Sequence, residues 1–389
     1  MIEINAKDNC SGCHACANAC PKNCIQMISD DEGFWYPQVD IEKCIDCGLC
    51  EKVCPIIHKW HPDDSCMTTA IAAINLNEEI RLKSSSGGIF TLLAENIIAK
   101  GGVVFGAAFA DDFKSVRHIC VDDIANLDKL RGSKYVQSKI GDTYKQAKDY
   151  LDSGRKVLFT GTPCQIGGLY SYLRTPYENL FTQDIICHGV PSPMVWEKYI
   201  EEHERKASSK TNIVTFRNKE NGWKAYSVFI GFDNYKEYLN NHSADMYIRA
   251  FLSDICLRPS CSNCQFKGVT RHSDITLADF WGIQNVLPEL DDDKGTSLVL
   301  VHSDKGRYLL DKLSDKIKSQ AVDIDIVEKY NPSVIKSVAA NSKRSDFLKD
   351  IHKDDFEITV LKYTKKSLLK RLRGIIIKKM QTLKLYLKV

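Results

Sequence analysis

A chain of 389 residues, 43% hydrophobic and 26% charged, has the make-up of a globular protein with room for two or three domains. Its formal net charge of +3 gives no sign of a nucleic-acid partner, no stretch approaches a membrane span, and no secretory leader is visible, so the cytoplasm is the expected location. Sixteen cysteines are the anomaly: in a long, unexported chain that density points to metal rather than to disulfides.

In chain order, residues 1–60 hold an internal repeat. Cys10, Cys13, Cys16, Cys20 and Pro21 are matched by Cys44, Cys47, Cys50, Cys54 and Pro55, each a C-x2-C-x2-C-x3-C-P run. Three closely spaced thiolates wrap three corners of one [4Fe–4S] cube, and the fourth cysteine of each run ligates the other cube. The spacing predicts a two-cluster ferredoxin-like domain. Cys10, Cys13, Cys16 and Cys54 hold one cluster, and Cys44, Cys47, Cys50 and Cys20 hold the second. Zinc, which takes separated pairs of Cys or of Cys and His, is the alternative. Cys24, Cys66 and Cys120 have no place in this scheme and read as buried thiols. A polar, proline-bearing stretch at 58–65 reads as a linker.

Strand-like and helix-like segments then alternate. Strands are expected at 70–74, 103–108, 155–160, 180–186 and 297–301. Helices are expected at 89–100, after Thr162 with Pro163 in the first turn, from Ser192 to about residue 206, and from about residue 305. Residues 212–217 and 226–231 read as two strands around Asn221 and Gly222 with no helix between. The fold class expected is α+β to α/β: a ferredoxin-like domain followed by a mixed α/β domain.

Four stretches of the second domain carry chemistry. The Ser/Gly-rich turn at 84–88 enters a helix and can leave backbone amides for a phosphate; an N-cap role for Ser86 is the plainer reading. The loop at 160–168 joins a strand to a helix, where open α/β sheets bind ligands. It puts Cys164 in the first helical turn, where the dipole favours a thiolate; a small buried residue is the alternative. Residues 185–193 repeat that logic around Cys187 and His188, so the two cysteines share a sheet edge if their strands are parallel. His188 is a candidate proton donor or ligand, or else a structural histidine. Finally, Cys256, Cys261 and Cys264 form a C-x4-C-x2-C triplet. With Cys187 or Cys164 as fourth ligand it would hold a third [4Fe–4S] cluster, a structural zinc being the alternative. Asp279, ending a strand nearby, is a cofactor contact or a turn residue.

Taken in order, the motifs at 85–88, 132–138, 161–165, 187–192, 256–264 and 278–282 resemble the beta-subunit family of coenzyme F420 hydrogenases and dehydrogenases, here with a fused ferredoxin, over residues 1 to about 350. The resemblance implies a flavin enzyme with a [4Fe–4S] cluster in the α/β domain. It puts FAD on Ser86, Gly87, Gly88, Thr91 and Lys134 and on the loop of Thr160, Thr162 and Gln165. No G-x-G-x-x-G run supports a Rossmann-type site. Family members differ in what meets the flavin: deazaflavin F420 is one hydride donor or acceptor, and relatives beside surface-polysaccharide genes imply another.

The organisation expected is thus a ferredoxin domain at 1–60, an FAD and Fe–S domain at 61–350, and a basic tail at 351–389. The function expected is an oxidoreductase passing electrons between a hydride carrier at FAD and the clusters, with Lys134 and His188 as catalytic candidates and a redox protein or subunit as partner. The alternative is a non-catalytic electron-transfer subunit of a larger complex or of a surface-polysaccharide pathway. Residues 365–389 carry nine Lys or Arg and no Asp or Glu. They suit either peripheral contact with an anionic membrane at its cytoplasmic face or a solvated docking arm.

Overall fold

The repeat written in the cysteines recurs in the backbone. Gly12 (φ 68°) and Asp46 (φ 49°) occupy equivalent positions, as do His14 (φ 64°) and Gly48 (φ 67°), and all four adopt the left-handed conformation. These reversals curl each cysteine run and lead into short helices, α1 (Ala15–Ala19) and α2 (Leu49–Lys52). Between them β1 (Ile25–Ser29) and β2 (Trp35–Val39) form an antiparallel hairpin. Cys16, Cys20, Cys24 and Cys50 share a small core with Ile2 and Ile25. The computed structural model describes residues 1–59 and 67–364, so Cys66, most of the expected linker and residues 365–389 of the expected tail lie outside the described residues; residues 351–364, also expected as tail, instead pack into the body, with Ile351, Phe356 and Val360 buried.

The rest of the chain is built on a mixed eight-stranded sheet. Its strands are β3 (Thr69–Asn75), β4 (Val103–Phe109), β5 (Val116–Val121), β6 (Val157–Thr160), β7 (Leu180–Ile185), β11 (Ile275–Asp279), β12 (Ser297–Val301) and β13 (Ile317–Val322). A separate antiparallel sheet holds β8 (Thr211–Asn218), β9 (Ser227–Phe232) and β10 (Glu237–Asn241). The large sheet runs β13-β3-β12-β11-β7-β6-β4-β5. β4, β6, β7 and β11 are mutually parallel. β12 is antiparallel to both β11 and β3, which returns β3 to the common direction. The carboxyl ends of five strands therefore share one edge, the edge from which loops of such sheets take ligands.

Helices cover both faces, so the central strands are apolar on both sides. All four residues of β6 are buried. Among them are α3 (Glu78–Lys83), α4 (Ile89–Ile98), α5 (Thr143–Asp152), α6 (Pro163–Leu173) and α7 (Pro193–Ala207). Ile89, Leu92, Leu93 and Ile97 of α4 pack on Val104, Leu158 and Val299. Tyr144, Ala147 and Leu151 of α5 and Ile166 and Leu169 of α6 pack on Phe105 and Phe159, whose rings stack at 5.4 Å. Burying a side chain such as Phe159 contributes about 1.5–3 kcal/mol. A second, aromatic core of Trp196, Tyr199, Phe216 and Tyr247 joins α7 to the small sheet.

The ferredoxin unit is docked on this body through buried polar contacts. Asn18 donates to the Gly141 carbonyl at 2.8 Å and Gln137 to the Ser11 carbonyl at 3.2 Å. Glu32, at the hairpin tip, forms a two-pronged ion pair with Arg344 at 3.0 and 2.6 Å. Among the described residues no helix is long and apolar enough to cross a membrane.

Candidate iron–sulfur and flavin sites

The two ferredoxin runs exchange their last cysteines. Cys10, Cys13, Cys16 and Cys54 gather in one group. Burial, reinforced by Cys10 and Cys54, pushes the Cys13 thiol up to about 12, and burial with Cys13, Cys10 and Cys54 raises Cys16 likewise. Cys20, Cys44, Cys47 and Cys50 line a separate hollow formed wholly by residues 1–50, with Cys47 exposed. Cys24, expected to be a spare buried thiol, lines that same hollow with its Sγ 3.3 Å from Cys20. Buried thiols such as Cys13 and Cys16 are poor acids on their own, and a bound metal would supply the charge that makes them thiolates. All-sulfur donor groups fit iron–sulfur cubes in that respect.

A third group forms from three distant segments. Cys164, Cys187, Cys261 and Cys264 line one cavity with about 590 Å³ of empty space, part of it open to solvent. Cys164 lies in the first turn of α6, which follows β6, and Cys187 follows the parallel strand β7, so both sit at one sheet edge. Cys261 and Cys264 come from the tight turn Pro259–Asn263 and the residue after it. Burial raises the Cys187 and Cys261 thiols to about 12 and about 11, partly offset by nearby cations: Lys267 and Arg271 at Cys187, Arg258 and Lys267 at Cys261. Those cations suit a site that gathers thiolate charge. Lys267 Nζ also donates to the Cys187 carbonyl at 2.6 Å.

Cys256 does not belong to this group, which corrects the triplet expected from spacing. It is fully buried in the aromatic core. Its neighbour Leu257 bridges to Pro191, fixing an extended stretch in which adjacent side chains point opposite ways. The turn at 259–263 then redirects the chain, carrying Cys261 and Cys264 to the cavity while Cys256 stays in the core. Cys187 and Cys164, expected as alternatives, both line the cavity.

Arg258, which sequence reasoning passed over, stands between the third group and the ferredoxin. It is 1% exposed. It donates to the Cys10 carbonyl at 2.8 Å, the Trp35 carbonyl at 3.0 Å and Gln137 Oε1 at 3.1 Å. Its guanidinium lies 4.4 Å from the Tyr36 ring centroid. Its presence inside the Cys256–Cys264 run, just before a proline, was the only signal. His188 lines the third cavity and pairs through Nε2 with Asp254 Oδ1 at 2.7 Å.

The expected flavin residues divide into two sets. The 85–91 and 131–134 segments meet: Ser133 N donates to Ser85 Oγ at 2.7 Å, and Arg131 Nε to Thr91 Oγ1 at 3.0 Å. α4 begins at Ile89 after Gly88 (φ 82°), with no side-chain cap. Its first amides are left without a side-chain partner, a setting that suits an anion, while Lys134 Nζ donates to the Arg131 and Gly132 carbonyls at 3.0 and 3.2 Å. Burial lowers Lys134 to about 7, and its ammonium sits 5.9 Å from the Phe109 ring centroid. Gly87 is explained by packing: a Cβ there would stand 2.4 Å from the Ala73 carbonyl oxygen. Ser86 Oγ donates to the Thr296 carbonyl at 2.8 Å.

The second set is engaged elsewhere. Thr160 Oγ1 donates to the Phe105 carbonyl at 2.9 Å, and Gln165 Nε2 donates to Ser138 Oγ at 3.0 Å. Gln165 Oε1 accepts from the Thr162 amide at 2.9 Å, while Thr162 Oγ1 lies 3.1 Å from Cys164 Sγ. These three residues shape the loop that presents Cys164. Asp279 Oδ2 accepts from Arg217 at 2.8 Å, beneath the stacked Trp223 and Trp281 rings.

A ferredoxin-type cysteine repeat docked on a mixed α/β body defines the class: an iron–sulfur electron-transfer protein. Comparison with known proteins gives the same class. Residues 9–56 match the 4Fe-4S dicluster domain family, and residues 154–326 match the family described as the C terminus of the coenzyme F420 hydrogenase/dehydrogenase beta subunit. Residues 154–326 thus carry the C-terminal region of the coenzyme F420 hydrogenase/dehydrogenase beta-subunit family, behind an N-terminal 4Fe-4S dicluster domain. A 7Fe ferredoxin of Hydrogenibacillus schlegelii is 41% identical over 49 residues, 13% of this chain and 56% of that protein, so the chain spans little more than half of that ferredoxin's length. An uncharacterized protein from the rpl9–rpl11 intergenic region of Porphyra purpurea is 41% identical over 61 residues, 14% of this chain and 76% of that one. A solved chain from the F420-reducing [NiFe] hydrogenase complex of Methanosarcina barkeri aligns over 71% of this chain and 92% of its own, at 16% identity and a TM-score of 0.49.

Proposed function

We propose that this chain is an iron–sulfur flavoprotein oxidoreductase that joins a hydride-carrying small molecule to a one-electron partner protein. The observation that carries the reading is the convergence of Cys164, Cys187, Cys261 and Cys264 on one cavity against the docked ferredoxin unit. When bound, a flavin exchanges two-electron hydride chemistry for single electrons, and iron–sulfur clusters store electrons one at a time.

The chain's own residues then have separate tasks. Cys10, Cys13, Cys16 and Cys54 hold the first cluster, and Cys20, Cys44, Cys47 and Cys50 the second. Cys164, Cys187, Cys261 and Cys264 hold a third, with Arg258, Lys267 and Arg271 offsetting the thiolate charge. The uncapped amides of α4 and Lys134 bind the flavin's phosphates. Lys134, lowered to about 7, also holds or releases a proton at Nζ near neutral pH. His188, oriented by Asp254, stands at the rim of the third cavity. Coenzyme F420, a deazaflavin, is the hydride carrier the family description names.

A second reading has one observation in its favour. Thr91, Thr160 and Gln165 spend their polar atoms inside the protein, as in a chain that conducts electrons without binding flavin. Anaerobic incubation with FAD, gel filtration and quantification of the retained flavin decide between the two. About one FAD per chain is expected; iron and sulfide without retained flavin leaves the pure electron-transfer subunit.

A further inference from the structure

The third cysteine group and the first ferredoxin group are ends of one short piece of helix. Cys164 is the second residue of α6, and four residues later Gly168 lies against the ferredoxin unit. A Cβ at Gly168 would stand 2.9 Å from Cys13 Cβ and 3.0 Å from Cys13 Sγ. It would also stand 2.9 Å from the Tyr144 hydroxyl. Real Cβ atoms do not approach that closely, so only glycine lets α6 touch Cys13. One helical turn rises about 5.4 Å, so the backbone segment joining the two metal-binding groups is one turn long.

Nothing about α6 itself demands glycine here. Gly168 has an ordinary helical backbone, outside the positive-φ positions, and glycine inside a helix costs about 0.5–1 kcal/mol relative to alanine. The close approach of the two surfaces is what alanine would forbid. Asp8, Ser11 and Ile56 of the ferredoxin unit also line the third cavity, whereas the hollow of Cys20, Cys44, Cys47 and Cys50 takes no residue beyond 50.

We propose that Gly168 is a positioning residue that sets the separation between the Cys164/Cys187/Cys261/Cys264 group and the Cys10/Cys13/Cys16/Cys54 group, making these two the electronically coupled pair across the two halves of the chain. The Cys20/Cys44/Cys47/Cys50 group, with Cys47 at the surface, is then the end that faces an external one-electron partner. This inference rests on the third group holding a cluster, as in the function proposed above.

The test uses the full chain, purified anaerobically and reduced with dithionite, with iron quantified before electron paramagnetic resonance. Wild-type protein is expected to show spin–spin splitting between a ferredoxin cluster and the third cluster. Gly168→Val is expected to lose that splitting while keeping its iron. Gly168→Ala, a smaller intrusion, is expected to weaken the splitting and serves if the valine variant does not fold. Tyr144→Phe removes the hydroxyl on the other side of Gly168, leaves Cys13 in contact, and is expected to leave the splitting intact. Unchanged splitting in an iron-replete Gly168→Ala protein overturns the proposal alone. Iron for only two clusters in the wild type overturns the functional reading beneath it, and the proposal with it.

Discussion

Replacing Arg258 by methionine tests how the two halves are held together. Methionine fills much of the same volume but leaves the carbonyls of Cys10 and Trp35 and the Gln137 side chain without their donor. Each hydrogen bond from a charged group is worth about 1.5–3 kcal/mol, so three gross about 6 kcal/mol. Removing a guanidinium that is 1% exposed relieves a desolvation cost that offsets roughly half of this, leaving a net loss of about 3 kcal/mol. Every 1.4 kcal/mol is about tenfold in an equilibrium constant. Amides around Cys10 and Cys261, both tied to the Arg258 backbone or side chain, should therefore exchange with deuterium about a hundredfold faster in the variant, read by mass spectrometry on the anaerobic protein. Arg258→Lys keeps the charge without the planar fork and should fall between. Exchange at both segments within about threefold of wild type would refute the claim that Arg258 locks the ferredoxin to the third cysteine group.

Other outcomes follow from particular contacts. Cys261→Ser should lose roughly a third of the iron and Cys256→Ser none, because only the former reaches the cavity; equal losses in inductively coupled plasma analysis would restore the triplet. Arg344 and Glu32 pair at 3.0 and 2.6 Å in partly buried surroundings. A double-mutant cycle on thermal stability should return a coupling of about 1–2 kcal/mol, and a value near zero would make the pair ornamental. Burial depresses His118 to about 4. The unfolded chain, with histidine near 6.5, then binds more protons, so stability is present above that value and falls as pH drops toward 4, by about 3 kcal/mol. His118→Gln should flatten the pH dependence of the urea midpoint over that range; an unchanged slope counts against it. Lys134 carries its charge below about 7 and loses it above, so FAD affinity should weaken as pH rises through 7 and lose that dependence in Lys134→Met, as followed by flavin fluorescence.

The sequence was most legible where spacing is local. The cysteine runs disclosed the ferredoxin unit and its crossed groups, since x2 and x3 gaps constrain neighbouring residues directly. Buried strands such as β6 and β12 showed as continuous apolar runs. The edge strands β10 and β13 were passed over because they are half-exposed and polar: Glu237–Asn241 and Ile317–Val322 carry no apolar run. Cys256 misled because spacing alone does not say which way a side chain faces, and the turn at 259–263 decides that. Cys24, read as a buried thiol, is buried, with its Sγ beside that of Cys20. Arg258 and Gly168 matter through contacts with residues well over 100 positions away, between halves that the sequence presents as separate. Gly87 looked like ligand chemistry, whereas close packing on β3 already requires it.

The central claim is that three cysteine groups hold three cubes. Iron and acid-labile sulfide, quantified together on anaerobically purified full-length chain, test it directly. The account predicts about twelve of each per chain. About eight of each, in folded protein with Cys164, Cys187, Cys261 and Cys264 reduced and reactive toward a thiol reagent, would contradict it.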